Sequence, residues 1–124
     1  MMRCLIVDDS EAMREIAGDH LRALGHRADE ATSAADAVAA MEQTPGRYDV
    51  VLLDWDLPSL GALDVLRAAA AMDARPAIVL CATEHDTRQL SLAAAAGAPH
   101  HVLKPFDRTA LACVLDRLSG SEAA

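Results

Sequence analysis

Tyr48-Asp49-Val50-Val51-Leu52-Leu53-Asp54-Trp55-Asp56-Leu57-Pro58 carries the clearest strand signature in the chain. Val50 to Leu53 form an apolar run with no polar alternation, the pattern of a strand covered on both faces, and the run stops at a carboxylate. Pro45-Gly46 forces a turn ahead of it, and Pro58 ends the extended segment behind it. A strand buried on both faces belongs to a parallel sheet with helices above and below, so further copies of the same signature are expected on either side.

The signature recurs in Cys4-Leu5-Ile6-Val7, which stops at Asp8-Asp9-Ser10, and in Ala77-Ile78-Val79-Leu80-Cys81-Ala82, which follows Pro76 and runs into Thr83. Weaker strands are expected at Arg27 to Ala31 and at His101-Val102-Leu103, the latter leading into Lys104-Pro105-Phe106. Between them, apolar residues three and four apart mark helices. Ser10 offers an N-cap oxygen to a helix whose stripe is Met13, Ile16, Ala17, His20, Leu21 and Leu24, closed by Gly25. Ser33 caps a second helix from about Ala34 to Gln43, and Leu60, Leu63, Leu66 and Ala70 mark a third. Asp86 with Gln89 is a capping-box pair for a fourth helix that ends near Gly97. Asp107 caps a fifth carrying Leu111, Val114, Leu115 and Leu118, after which Ser119-Gly120-Ser121 is expected to fray. The expected fold is (βα)5: a doubly wound parallel sheet of five strands with helices on both faces, spanning residues 1–119, then a short polar C-terminal tail, residues 120–124.

The 124 residues are expected to form one domain, without an appended output module. The core is expected to be aliphatic, because 27 residues are alanine and the only Phe, Tyr or Trp are Phe106, Tyr48 and Trp55. Eleven basic against nineteen acidic side chains give a net charge of -8, which argues against nucleic acid or an anionic membrane as partner, since both need a concentrated positive surface. Asp8 and Asp9 cut off the first apolar run before a signal peptide forms, and no run spans a bilayer, so the expected location is the cytoplasm. Cys4, Cys81 and Cys113 lie in apolar runs without metal-ligand spacing and read as buried, reduced thiols. No heptad seam offers a dimer contact, and a monomer is expected.

In a doubly wound sheet the ligand site lies beyond the carboxyl ends of the strands. Here those ends carry Asp8-Asp9, Asp54, Ala82-Thr83 and Lys104. Three carboxylates brought together repel one another, which a hard divalent cation relieves. Mg²⁺ takes oxygen ligands, keeps several waters and shares its remaining positions with phosphate oxygens. Lys104 is placed to pair with Asp54 at rest and with a phosphoryl oxygen when one arrives. An aspartate can itself be the nucleophile, so the set fits metal-assisted phosphoryl transfer to a carboxylate. Taken singly, Asp8-Asp9 also reads as a strand-end turn or cap pair, Lys104 as a surface lysine and Trp55 as a cover for the sheet edge. His100 and His101 point to opposite faces of a strand and do not share an ion, while His20 is expected to pack in the core.

Asp8-Asp9-Ser10, Leu52-Leu53-Asp54-Trp55-Asp56-Leu57-Pro58, Gly97-Ala98 and Lys104-Pro105-Phe106 together resemble, in order and spacing, a response-regulator receiver domain, similar to the CheY-like chemotaxis regulators with their flavodoxin-like fold. The resemblance covers nearly the whole chain. It implies that Asp54 is the phosphoacceptor, that Asp8, Asp9, Asp54 and the backbone carbonyl of Asp56 hold Mg²⁺, and that Lys104 contacts the phosphoryl group. The implied donor is a phosphohistidine on a sensor histidine kinase or a histidine phosphotransfer protein. Output is implied through protein binding at a face containing His101, Phe106 and the fourth helix, with Trp55 a further contact. Such a domain catalyses its own phosphorylation and dephosphorylation and is a signalling switch more than an enzyme.

The chain also departs from the family. Ala82 takes the usual hydroxyl place and Thr83 the place after it, and strand alternation would turn Thr83 away from the phosphoryl group unless a bulge turns it back. His101 stands at the aromatic switch position. Ser59-Leu60-Gly61-Ala62 displaces the usual glycine by one, which predicts an altered turn into the third helix. Asp56 and Glu84 add carboxylates beside the site. These departures motivate an alternative, a degenerate receiver acting as a phosphorylation-independent binding module, against which the presence of Asp8, Asp9, Asp54 and Lys104 weighs. Leu53-Asp54-Trp55-Asp56 also looks like the Asp-x-Asp of haloacid-dehalogenase-type phosphatases, but there the nucleophile strand comes first. A flavin site fails on the scarcity of aromatics and on the lack of a Ser/Thr/Gly-rich loop after the first strand.

Overall fold

The computed structural model of the chain describes residues 1–83 and 87–123. Its elements are β1 (Arg3–Val7), α1 (Glu11–Ala23), β2 (Arg27–Ala31), α2 (Ala34–Gln43), β3 (Val50–Asp54), a 3-10 turn (Pro58–Leu60), α3 (Gly61–Ala70), β4 (Ala77–Ala82), α4 (Thr87–Ala95), β5 (His100–Leu103) and α5 (Arg108–Ala123). All strand pairs are parallel, in the order β2-β1-β3-β4-β5. Strand order reverses after β2, so β1 and β3 lie side by side at the centre and their carboxyl ends flank the crevice that such a reversal opens.

Alternation along the central strands divides the core into two layers. Leu5, Val7, Val51, Leu53 and Leu80 face α2 and α3, together with Ala93 of α4. Cys4, Ile6, Leu52, Val79 and Val102 face α1 and α5. Every residue of β3 is buried, as its unbroken apolar run requires. The helix starts follow the expected caps. Ser10 Oγ accepts from the Met13 N–H at 3.2 Å, Ser33 Oγ from Asp36 at 3.1 Å, and Asp107 Oδ1 from Ala110 at 2.8 Å. Gly25 closes α1 with φ +89°, a conformation that glycine reaches without a Cβ penalty. Asp86 of the expected capping box and Glu84 lie outside the described residues.

Several details differ from the sequence reading. Ile16 stays 44% exposed, because α1 approaches the sheet through Ala17, Gly18 and Leu21, and this narrow seam leaves Ile16 on its flank. Leu60 is exposed rather than part of the third stripe: α3 starts at Gly61 and buries Ala62, Val65, Leu66 and Ala69. The displaced glycine has a steric cause. A Cβ on Gly61 would sit 2.9 Å from the Ala34 Cβ of α2, so a glycine here lets the two helices meet. The chain reaches that position through Ser59 and Leu60, both left-handed at φ 56° and 57°. Cys113 is exposed, unlike Cys4 and Cys81, since it falls off the Leu111, Val114, Leu115, Leu118 stripe. Finally, α5 runs on to Ala123, past the expected end at residue 119. One glycine in a helix costs about 1 kcal/mol relative to alanine and does not by itself stop it.

Candidate acidic phosphoacceptor site

The sheet register assembles the site. Val7 pairs with Leu53, so Asp8 and Asp9 leave β1 beside Asp54 at the end of β3, while Ala82 of β4 pairs with Leu103 and brings Lys104 to the same edge. Among the described residues Asp8 and Asp54 are the buried charged ones, at 5% and 4% exposure, whereas Asp9 is exposed. Carboxylate oxygens of Asp8, Asp9 and Asp54 lie within 4.8 Å of one another. Lys104 Nζ donates to Asp8 Oδ2 at 2.8 Å and to Asp54 Oδ1 at 3.0 Å. Its backbone is fixed by the Lys104 N–H to Ala82 O bond of 2.7 Å, just before a cis Lys104-Pro105 peptide.

The two oxygens of Asp54 are not equivalent. Oδ1 accepts from Lys104 and, at 3.1 Å, from the Asp56 N–H, while Oδ2 accepts no hydrogen bond among the described residues. Asp8 Oδ1 accepts from the Ser10 N–H at 2.9 Å, so both of its oxygens are engaged. Asp9 makes no ion pair among the described residues and adds an uncompensated charge at the rim. Burial raises the Asp54 carboxyl above its ordinary range and the Asp8 charge adds to this, although the Lys104 and Asp56 hydrogen bonds and the Lys104 charge pull the other way. For Lys104 burial pulls downward, but the bonds and charges of Asp8 and Asp54 outweigh it and the ammonium is held above its usual value.

Three carboxylates against one ammonium leave two negative charges uncompensated, which is the charge of a divalent cation. The donors are all oxygens, the set that hard cations such as Mg²⁺ prefer, with no thiolate or imidazole to favour zinc. The residues present therefore fit a divalent ion held by Asp8, Asp9 and Asp54. Cys81, paired in register with Asp54, is no competing ligand or nucleophile, because burial pushes its thiol up to about 12.

Sequence reasoning places Lys104 against Asp54 but misses its shorter bond to Asp8. It also misses Arg14, one turn into α1, whose Nη1 donates to the Asp8 carbonyl at 2.9 Å and whose Nε pairs with Glu30 at 3.1 Å, pinning the turn that presents Asp8. A basic side chain in the first turns of the helix that leaves an acidic strand end was the available signal. Other residues fall elsewhere. β4 ends at buried Ala82, and Thr83 is exposed with its Oγ1 donating to Asp56 Oδ2 at 3.4 Å. Trp55 is half-buried and its Nε1 donates to Gln89 Oε1 of α4 at 3.0 Å. Phe106 is not a surface contact: at 7% exposure it fills the layer beneath α1 and α5, with its ring 6.3 Å from that of His20. His20 is half-buried there and its Nδ1 finds no partner among the described residues. His101 is half-buried on β5.

Comparison with known proteins agrees with this geometry. The sequence pattern of the response regulator receiver domain matches residues 4–116. The chain is 33% identical over 121 residues to the chemotaxis protein CheY-3 of Vibrio cholerae, covering 94% of this chain and 91% of that protein. It is 33% identical over 111 residues to the chemotaxis protein CheY of Pseudomonas aeruginosa, covering 85% and 86%. Among solved structures, the chemotaxis response regulator CheY4 of Vibrio cholerae superposes with a TM-score of 0.86 at 25% identity, over 95% of this chain and 98% of that one. No helix among the described residues is long and apolar enough to cross a membrane.

Proposed function

Because the chain belongs to the response regulator receiver domain family, we propose that it is a phosphoacceptor of two-component or phosphorelay signalling, taking a phosphoryl group from a phosphohistidine onto Asp54. The observation that carries this reading is the state of the Asp54 carboxylate: buried, held at Oδ1 by Lys104 and the Asp56 amide, and left without a hydrogen bond at Oδ2 among the described residues. A carboxylate oxygen with no donor on it keeps its lone pair for a phosphorus atom.

The donor is a phosphohistidine of a sensor histidine kinase or a histidine phosphotransfer protein. Asp54 Oδ2 approaches phosphorus in line with the P–N bond. The O–P bond forms, the P–N electron pair returns to the protonated imidazole, and neutral histidine leaves. Lys104 follows the charge. Its bond to Asp54 Oδ1 gives way to one with a phosphoryl oxygen, while Asp8 keeps the ammonium at the site. Mg²⁺, held by Asp8, Asp9, Asp54 and the Asp56 carbonyl, would neutralise charge building on the phosphoryl oxygens when bound. The domain contributes position and charge, which is most of what phosphoryl transfer asks of a protein. Output is through a protein partner in the cytoplasm, in a pathway of chemotaxis-like kind.

Intact-mass measurement after incubation with a small phosphoryl donor and Mg²⁺ tests the proposal. One phosphoryl adduct is expected, absent in Asp54→Asn and in the chelated sample. The buried Ala82 and the Thr83 to Asp56 bond favour a second reading, a phosphorylation-independent binding module. A folded protein that takes no phosphoryl group from a small donor or from histidine phosphotransfer proteins decides for that reading.

A further inference from the structure

The segment after Asp54 is tied to the β4–α4 side of the site at two points. The Trp55 indole N–H donates to Gln89 Oε1 of α4 at 3.0 Å, and Asp56 Oδ2 accepts from Thr83 Oγ1 at 3.4 Å. The same two residues are tied to Asp54 and its neighbouring strand through their backbones: the Asp56 N–H donates to Asp54 Oδ1 at 3.1 Å, and the Trp55 N–H donates to Cys81 O at 3.0 Å. β4 itself ends in Ala82, whose methyl group offers nothing to a phosphoryl oxygen. We propose that Trp55 and Asp56 form a strap that carries the state of the Asp54 carboxylate to α4, with the Trp55–Gln89 hydrogen bond as its principal link. The proposal rests on Asp54 being the phosphoacceptor.

The physical chain is short. Oδ1 of Asp54 is shared by the Lys104 ammonium and the Asp56 amide. Converting the carboxylate to an acyl phosphate removes charge from that oxygen, weakens it as an acceptor and draws Lys104 toward the new group. The Asp56 amide loses strength in its bond, and the Trp55-Asp56 backbone shifts relative to β4. A shift of a few tenths of an ångström is enough to change an indole N–H bond already at 3.0 Å, because hydrogen bonds weaken steeply with distance and angle. α4 is the element this bond reaches. Of the two links, Trp55–Gln89 is the shorter and joins a half-buried ring to a helix, whereas Asp56–Thr83 joins two exposed side chains. Trp55 and Gln89 are thus positioning residues, acting on α4 and not on the phosphoryl group.

The test uses the full chain with beryllium fluoride and Mg²⁺ as a stable phosphoryl mimic, with bound fluoride followed by ¹⁹F NMR and the amides of residues 87–95 by hydrogen exchange. In the wild type, occupancy is expected to change exchange in α4 by at least about fivefold, the lower end of ordinary allosteric coupling. Trp55→Phe keeps the ring and removes the donor, and Gln89→Leu removes the acceptor; both are expected to bind the mimic yet change α4 exchange by less than about twofold. Gln89→Glu keeps an acceptor oxygen and is expected to restore the response. Mimic bound by both variants with a wild-type response in α4 overturns the strap while leaving the phosphoacceptor intact. A wild-type protein that shows no bound fluoride overturns the phosphoacceptor reading, and the strap with it.

Discussion

Replacing Lys104 by methionine keeps most of the side chain's length and apolar contact but removes its charge, and the structure sets the size of the effect. The ammonium lies 2.8 Å from Asp8 Oδ2 and 3.0 Å from Asp54 Oδ1. With an effective dielectric of about 20, each attraction is on the order of 5 to 6 kcal/mol. Two carboxylate oxygens 4.8 Å apart, the upper limit for this cluster, repel by about 3.5 kcal/mol on the same scale. Burying the ammonium takes back several kcal/mol, so the net loss on removing it is about 3 to 5 kcal/mol, the usual cost of stranding a buried charge. Urea unfolding at neutral pH with chelator present measures it. The pH dependence has a definite sign. Lys104 is held above its ordinary value, so its contribution is fully present below the unfolded-state value and is lost as pH rises through the folded-state one. It also shrinks in acid, as Asp54, whose carboxyl burial holds above its ordinary range, takes up a proton. Millimolar Mg²⁺ should return part of the loss, because it answers the same repulsion. A Lys104→Met protein within about 0.5 kcal/mol of wild type in chelator would show that the ammonium does not offset the Asp8–Asp54 repulsion, since that is the range of ordinary surface substitutions.

Four further substitutions, one of them with a rescuing partner, probe the same structure. Burial holds the Asp54 carboxyl above its ordinary range, so its ionised form costs stability above that range; Asp54→Asn should be more stable than wild type in chelator at neutral pH, and the advantage should vanish on acidification through the carboxylate range, as read by urea midpoints. Asp9 is exposed, so Asp9→Asn should leave stability in chelator within about 0.5 kcal/mol while weakening Mg²⁺ binding on the order of tenfold or more, as read by Trp55 fluorescence titration. Gly61→Ala should cost about 1 to 3 kcal/mol through the 2.9 Å approach to Ala34, and Ala34→Gly should recover part of it in thermal unfolding. Leu60→Gly should instead be neutral or stabilising by about 1 kcal/mol, because the left-handed φ of 57° costs leucine and not glycine, while the exposed side chain contributes little burial.

The strands and the acidic edge were legible because each rests on a local signal. A buried parallel strand announces itself as an unbroken apolar run, and Asp8, Asp9, Asp54 and Lys104 stand where such runs stop. What was not legible depends on how elements meet. The resemblance implies a partner face that contains Phe106, yet Phe106 is buried because α1 and α5 converge over it. The bond from Lys104 to Asp8 arises from the sheet order, which places β1 next to β3, and no spacing along the chain predicts it. The apolar marks Leu60, Leu63, Leu66 and Ala70 do not show where α3 starts, since its first residue is set by the close approach of Gly61 to Ala34. Cys113 was the avoidable error: it lies off the helical stripe that Leu111, Val114, Leu115 and Leu118 already define.

The central claim is that a phosphoryl group is carried on the Asp54 carboxylate, and reductive trapping tests it at the level of the atom. Borohydride converts an acyl phosphate to a primary alcohol, so protein treated with a small phosphoryl donor and Mg²⁺, then reduced and mapped by peptide mass, carries homoserine at the phosphorylated position. Homoserine is expected at position 54 and nowhere else, dependent on Mg²⁺ and on Asp9. Homoserine at position 8, 9 or 56 instead, or no reduced residue in a protein that binds Mg²⁺, would contradict it.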